Sequence, residues 1–132
     1  MDNRFPTVAV FVTAATWAGF ALWLGFNPGA LLPAFGISDS TPQMHTEVRA
    51  FYGGVELAIA VSMLILWRSN NVFAALLIGG LPLAGAALGR LAGLMLDGFS
   101  ELHLGFAALE LTGAAFCFAG TVSKSRANTT RA

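Results

Sequence analysis

Four charged residues lie in stretches of the chain that are otherwise apolar. They are Arg49, Glu56, Arg90 and Glu110. An isolated charge at the centre of a bilayer costs at least about 2.5 to 3.5 kcal/mol on insertion scales, so each of these side chains needs a partner. Two arginines and two carboxylates can neutralise one another, and the same groups can bind a ligand and exchange protons with it.

Helical spacing arranges these residues into faces. Arg49 and Glu56 are seven residues apart, which at 3.6 residues per turn places them on one face of a helix. His103 and Glu110 have the same spacing further along the chain. The spacing therefore predicts that Arg49 and Glu56 lie close together, and that the two polar faces converge inside a bundle.

This set of residues has a structural and a functional interpretation. In the structural one, the charges pair and hold the helices in register. In the functional one, Glu56 or Glu110 stays protonated in an apolar pocket and acts as a general acid. Arg49, Tyr52 and Arg90 then bind the polar end of an anionic or carbonyl-containing molecule. The residues alone leave both interpretations open.

Two pairs of residues resemble metal ligands, His45 with Glu47 and Glu101 with His103. Residues two apart on a helix point in nearly opposite directions, so the sequence predicts no metal site. The chain contains no P-loop, dinucleotide fingerprint or Ser-His-Asp order. We therefore expect no cofactor, and the motifs do not decide whether the protein is an enzyme.

The composition indicates that lipid is the solvent. Only 11% of the 132 residues are charged and 56% are hydrophobic, whereas an ordinary soluble domain carries roughly 25% charged residues. The formal net charge is zero, so there is no basic surface to attract a polyanion, and we exclude nucleic-acid binding.

The apolar stretches predict a single all-α membrane domain of four transmembrane helices. Their expected ranges are about 7–26, 44–67, 72–95 and 100–122, each long enough to cross a hydrocarbon core of roughly 30 Å. Between the first two helices, the apolar run 30–35 is too short to span. It is expected to lie in the interface or to fold back over the bundle. Residues 123–132 are expected to form a polar tail.

The cations of the connections and termini predict the orientation. If the chain crosses the membrane four times, all of these cations lie on one side of it. The two connections on the other side contain no cation. The positive-inside rule therefore predicts a multi-pass protein with both termini in the cytoplasm. These cations are Arg4, Arg68, Lys124, Arg126 and Arg131.

Three glycines recur at four-residue intervals in the third predicted helix, Gly85, Gly89 and Gly93. Small residues at this spacing allow two helices to approach closely. We expect a helix-packing face here, with room for a ligand as the alternative.

The stretch from Glu47 to Gly54 has the pattern E-x-R-A-x-Y-G-G, and Gly89-Arg90, Asp97-Gly98 and Glu110 follow it. In these residues, over about 5–122, the chain resembles a bacterial family of small four-helix membrane proteins catalogued as a domain of unknown function. The resemblance implies the four-helix architecture and a bacterial inner membrane, and no known activity. It also implies a site drawn from Glu47, Arg49, Tyr52, Arg90, Asp97 and Glu110.

These observations favour a polar pocket, open to the non-cytoplasmic side, that binds or transforms a small apolar or amphiphilic molecule. Glu56 and Glu110 are the candidate catalytic acids, and His103 joins the candidate ligand-binding residues. The alternative is a non-catalytic accessory or structural subunit of a larger membrane complex or a homo-oligomer. Proton-coupled transport ranks last, because four helices without an inverted repeat are few for alternating access.

Overall fold

Four long helices make up most of the chain in the computed structural model, which describes residues 4–129 and their side chains as far as residue 123. We name them α1 (Phe5–Phe26), α2 (Pro42–Arg68), α3 (Val72–Leu96) and α4 (Glu101–Thr129). Each contains a segment long and apolar enough to cross a membrane, which in α4 is Glu101–Ser123. The predicted four-helix membrane fold is confirmed.

Short polar side chains begin three of the helices. The Thr41 hydroxyl accepts a hydrogen bond from the Met44 N–H at 3.3 Å, and the Asn71 side-chain oxygen accepts one from the Ala74 N–H at 3.1 Å. Ser100 Oγ accepts one from the backbone N–H three residues on, at 3.4 Å. These caps satisfy backbone donors that have no partner in the first turn, so they fix the helix starts.

The connection between α1 and α2 folds back onto the bundle. It forms two single 3₁₀ turns, Pro28–Ala30 and Leu32–Phe35. Leu32 is buried in a small cluster with Leu24 of α1 and Val48 of α2. Of the two expected placements, the structure therefore has the one in which this segment covers one end of the helices.

The second helix is not uniform. It is α-helical over Pro42–Val48 and again over Glu56–Arg68, with π-helical hydrogen bonding over Arg49–Val55 between them. A π-helix bonds i to i+5, so each of its turns contains more residues than an α-helical turn. Spacing arguments based on 3.6 residues per turn therefore fail across this segment.

The fourth helix is longer than predicted. It continues to Thr129, whereas the sequence placed its end at about residue 122. No glycine or proline follows Gly120, and the lysine, arginine and alanine residues of this stretch favour helix. Residues 130–132, with Arg131 among them, and residues 1–3 lie outside the described residues.

The tightest packing lies at the end of the bundle where α1 begins and where α2 meets α3. Side chains of all four helices are buried together there, and we call this region the closed half. Its core contains Ala9, Val10 and Ala14 of α1, Met63 of α2, Val72, Ala75 and Leu76 of α3, and Cys117 of α4.

Glycine allows the helices of the closed half to approach closely. A Cβ atom at Gly80 would lie 2.8 Å from the Cβ of Cys117, which is closer than two carbon atoms can pack. Gly85 and Gly89 do not pack against another helix of this chain, because a Cβ at either position would meet nothing within 4 Å. The close contact on α3 lies earlier in the helix, where its small residues face α4.

Candidate functional site

The opposite half of the bundle contains a partly open cavity of about 500 Å³. Residues from all four helices line it, together with Leu31 of the folded-back connection. We call this region the open half, and the cavity the central cavity. Most of the lining is aliphatic or aromatic. The polar exceptions are Thr13, Thr16, Tyr52, Glu56, Arg90, Glu110 and Thr112.

An arginine–glutamate pair forms one wall of the central cavity. Arg90 Nε of α3 lies 3.0 Å from each carboxylate oxygen of Glu110 on α4. The two side chains are 23% and 14% exposed. The pair is therefore mostly shielded, and both residues border the same space.

Two further side chains of α4 hold the Arg90 guanidinium. Nη1 lies 3.3 Å from His103 Nδ1, and the guanidinium carbon lies 5.0 Å from the centre of the Phe106 ring. Because a guanidinium has no acceptor, Nη1 donates and the ring nitrogen accepts, so His103 is uncharged in this arrangement. Arg90 is thus fixed by a carboxylate, an imidazole and an aromatic face.

Glu56 on α2 is the second carboxyl group of the central cavity. Its Oε2 atom is buried and has no hydrogen-bond partner among the described residues. A buried polar oxygen without a partner costs free energy comparable to a lost hydrogen bond. Among the lining groups, Glu56 is therefore the one best suited to form a hydrogen bond with a bound molecule or to exchange a proton with it.

The π-helical segment sets the positions of Tyr52 and Glu56. It contains Gly53-Gly54, and a Cβ at Gly53 would lie 3.2 Å from the Cα of Gly25 on α1. The two backbones therefore touch at this point. Close approach through glycine, combined with wider π turns, directs Tyr52 and Glu56 into the central cavity.

The predicted pairing of Arg49 with Glu56 is wrong. Arg49 is exposed, and its Nε donates to the Gly25 carbonyl oxygen at 3.2 Å. The seven-residue spacing spans the whole π segment, so the two side chains do not share a face. Arg49 instead links α2 to α1 outside the central cavity.

The expectation of buried charges is also wrong. Over residues 4–123, the fully buried polar side chains are Thr13 and Thr121, and no charged side chain is fully buried. A charge that borders a cavity avoids most of the cost of complete burial.

The remaining predicted residues lie around the central cavity or away from it. Glu47 borders a second cavity, described below, and Asp97 is exposed where α3 ends. The described residues include no group of three or more His, Cys, Asp or Glu side chains that could hold a metal ion. Among the predicted site residues, the central cavity brings together Tyr52, Glu56, Arg90 and Glu110.

The second cavity, about 760 Å³, lies between α2 and α3 beside the folded-back connection. Its lining is almost entirely apolar and includes Phe51, Ile59 and Pro82. Four residues border both cavities, namely Trp17, Tyr52, Glu56 and Ala86. Glu56 thus lies at the boundary between a cavity with a few polar groups and an open groove that is more uniformly apolar.

The sequence analysis missed the contribution of α1. Thr13, Thr16 and Trp17 line the central cavity, and the Trp17 Nε1–H donates to the Gly79 carbonyl oxygen of α3 at 3.2 Å. Indole and hydroxyl groups inside an apolar helix were the available signal, because each needs a hydrogen-bond partner away from water.

Comparison with known proteins identifies the family. A family model described as "Domain of unknown function (DUF4345)" matches residues 6–120. The chain belongs to this family, as the sequence resemblance predicted. Searches of curated proteins and of solved structures gave no match.

Proposed function

We propose that the protein binds a small apolar or amphiphilic molecule in the central cavity. The observation that carries this proposal is the convergence of Tyr52, Glu56 and the Arg90–Glu110 pair in a space that is otherwise apolar. A volume of about 500 Å³ lies within the range of roughly 300 to 1,000 Å³ typical of ligand sites, which combine an apolar lining with a few polar groups.

The two carboxyl groups have different roles in this proposal. Both Glu110 oxygens accept hydrogen bonds from Arg90, so Glu110 orients the arginine. Glu56 Oε2 has no partner among the described residues and is the group that contacts the ligand. If the bound molecule is also transformed, Glu56 is the general acid or base, and Glu110 is a positioning residue.

The proposed orientation puts both termini in the cytoplasm of a bacterial cell, with the central cavity nearer the outer face of the inner membrane. Arg4 and Arg68 lie at the end of the bundle away from the folded-back connection, and α4 ends on that side as well. This arrangement agrees with the positive-inside rule. Reporter fusions at Ser69 and Ser38 test it, and a cytoplasmic signal at Ser38 would overturn it.

Identifying any small molecule that co-purifies with the protein tests the proposed function. The protein is purified in mild detergent, and its extract is analysed by mass spectrometry. We expect a stoichiometric small molecule in wild type and its loss in Ala86→Phe, because Ala86 borders both cavities. Ala92→Phe is the matched control, since Ala92 is exposed on the same helix and borders neither cavity.

The alternative is a subunit of a larger membrane complex or homo-oligomer. It is favoured by the exposure of α2, in which only 11% of the apolar window is buried within the chain. A stoichiometric partner polypeptide, with no small molecule that is sensitive to Ala86→Phe, would replace the ligand-binding proposal by this one.

A further inference from the structure

The charged groups of the central cavity are unequal in number. Among the residues that line it, Glu56 and Glu110 are acidic and Arg90 is the basic partner. Arg49, which the sequence placed beside them, is exposed and bonded to Gly25 outside the cavity. When both carboxyl groups are ionised, the lining therefore carries one negative charge without a counter-charge.

Arg90 already has a carboxylate partner, Glu110, which neutralises its positive charge. Its Nε is shared between both oxygens of Glu110, and its Nη1 is directed at His103. His103 is uncharged in this contact and adds no positive charge. A ligand carboxylate or phosphate could reach the remaining N–H groups of the guanidinium, but it would add a negative charge to a lining in which Glu56 already lacks a counter-charge.

The lining also offers a hydrogen-bond acceptor that is not in use. Glu56 Oε2 is buried without a hydrogen-bond partner in the part of the chain that the structure describes. An ammonium group would supply both the hydrogen bond and the missing charge, and charge-assisted hydrogen bonds are the stronger kind. An aromatic lining, here Trp17, Tyr52 and Phe106, also suits a cation.

The second cavity offers room for an apolar chain. It begins at the wall formed by Trp17, Tyr52, Glu56 and Ala86 and continues between α2 and α3 past Ile59 and Pro82. Because Glu56 borders both spaces, a molecule whose chain lies in these apolar surroundings can place its polar end at Glu56.

We infer that the ligand is a cationic amphiphile, an amine with an apolar chain, whose ammonium group contacts Glu56 and whose chain lies in the second cavity. This inference rests on the proposed ligand-binding function and specifies its ligand class. It reverses the sequence-based expectation of an anionic or carbonyl-containing ligand, because the structure moves one arginine away and pairs the other.

The test compares probes that differ only in their polar end. The protein is placed in nanodiscs of zwitterionic lipid, and brominated forms of dodecylamine, dodecanol and dodecanoic acid are titrated. Bromine quenches nearby indole fluorescence. Replacing Trp23 and Trp67 by Phe leaves Trp17, which borders both cavities, as the remaining tryptophan of three. Protein-free nanodiscs correct for partitioning into lipid.

We expect dodecylamine to bind at least about tenfold more tightly than dodecanol, the advantage of a charge-assisted hydrogen bond over a neutral one. Dodecanoic acid should bind most weakly. Glu56→Gln should abolish the preference for the amine by bringing dodecylamine to the affinity of dodecanol, and a gel-filtration profile like that of wild type shows that the variant is folded. Glu101→Gln makes the same chemical change outside both cavities and should leave the preference intact.

Equal binding of the amine and the alcohol, or tighter binding of the acid, would overturn the ligand class and leave the proposed binding function standing. A preference for the amine that survives Glu56→Gln would also overturn it. If none of the three probes quenches Trp17 in wild type and no bound molecule is found in the extract, the proposed function fails and the inference fails with it.

Discussion

The two halves of this bundle use small and polar residues in opposite ways. In the closed half, Gly80 and Cys117 bring α3 and α4 into direct contact, and the core contains no charged side chain. In the open half, the same helices border a cavity that is lined by Arg90 and Glu110. One pair of helices therefore provides a close-packed support at one end and a cavity with a few polar groups at the other.

Different contacts hold the helices together in the two halves. Association of helices in lipid depends on close packing and on hydrogen bonds between helices. The closed half supplies the packing, while the Arg90–Glu110 pair joins α3 to α4 beside the central cavity. Larger side chains in the closed half should accordingly destabilise the protein. In the open half, stability should depend on the Arg90–Glu110 pair.

The largest expected effect is on packing. Gly80→Val should destabilise the protein by roughly 3 kcal/mol, because overfilling a close-packed region costs typically 1–3 kcal/mol and its Cβ would meet Cys117 at 2.8 Å. Gly89→Ala on the same helix meets nothing within 4 Å. It should be neutral or stabilise by up to about 1 kcal/mol through helix propensity. Unfolding in mixed detergent micelles measures both, and equal losses would contradict the comparison.

The next effect is on pairing in the open half. Arg90→Ala and Glu110→Ala should be coupled by about 1 to 2 kcal/mol in a double-mutant cycle, since each single change leaves a shielded charge without its partner. Arg49→Ala with Glu56→Ala is the control cycle. It should be additive within about 0.5 kcal/mol, because these two residues are not paired. Coupling in the control cycle alone would contradict this prediction and would indicate that Arg49 pairs with Glu56, as the seven-residue spacing predicted.

The smallest effect concerns the π-helical segment. Gly53→Ala should cost about 1 kcal/mol, because its Cβ would lie 3.2 Å from the Gly25 backbone, and rigid backbone cannot easily move away. Gly54→Ala should change stability by less than about 0.5 kcal/mol, since its nearest contact, at 3.7 Å, is ordinary. The same unfolding assay tests this pair, and a larger loss at Gly54 would show that the helix contact is misplaced.

Much of the architecture follows from hydropathy and turn chemistry. The four helices, their polar starts and the folded-back apolar run were all accessible from the sequence, because lipid requires long apolar helices with satisfied backbone groups. The end of α4 was not, because Lys124, Arg126 and Ala127 favour helix, whereas the serine, asparagine and threonine residues beside them are typical of a polar tail.

The site was less predictable. The sequence singled out Tyr52, Glu56, Arg90 and Glu110, which border one cavity, because polar residues in apolar helices need partners. It misplaced Arg49, since nothing in Gly53-Gly54 reveals that the hydrogen bonding there changes to the π pattern. It also chose glycines of α3 that do not pack against another helix of this chain, because four-residue spacing does not say which face meets another helix.

A cavity lies in one half of the bundle and is absent from the core of the other. Once Cys117 is replaced by Ala, two threonines of α4 distinguish these halves. Thr112 borders the central cavity, and Thr121 is buried in the closed half. Each is changed to Cys, and labelling by a small charged thiol reagent is followed in nanodiscs.

Thiols react as thiolates, which form where water has access. We expect Thr112→Cys to react readily and to be protected by dodecylamine, while Thr121→Cys stays unlabelled over the same time in folded protein. Equal labelling of the two positions, or labelling of Thr121→Cys alone, would contradict it.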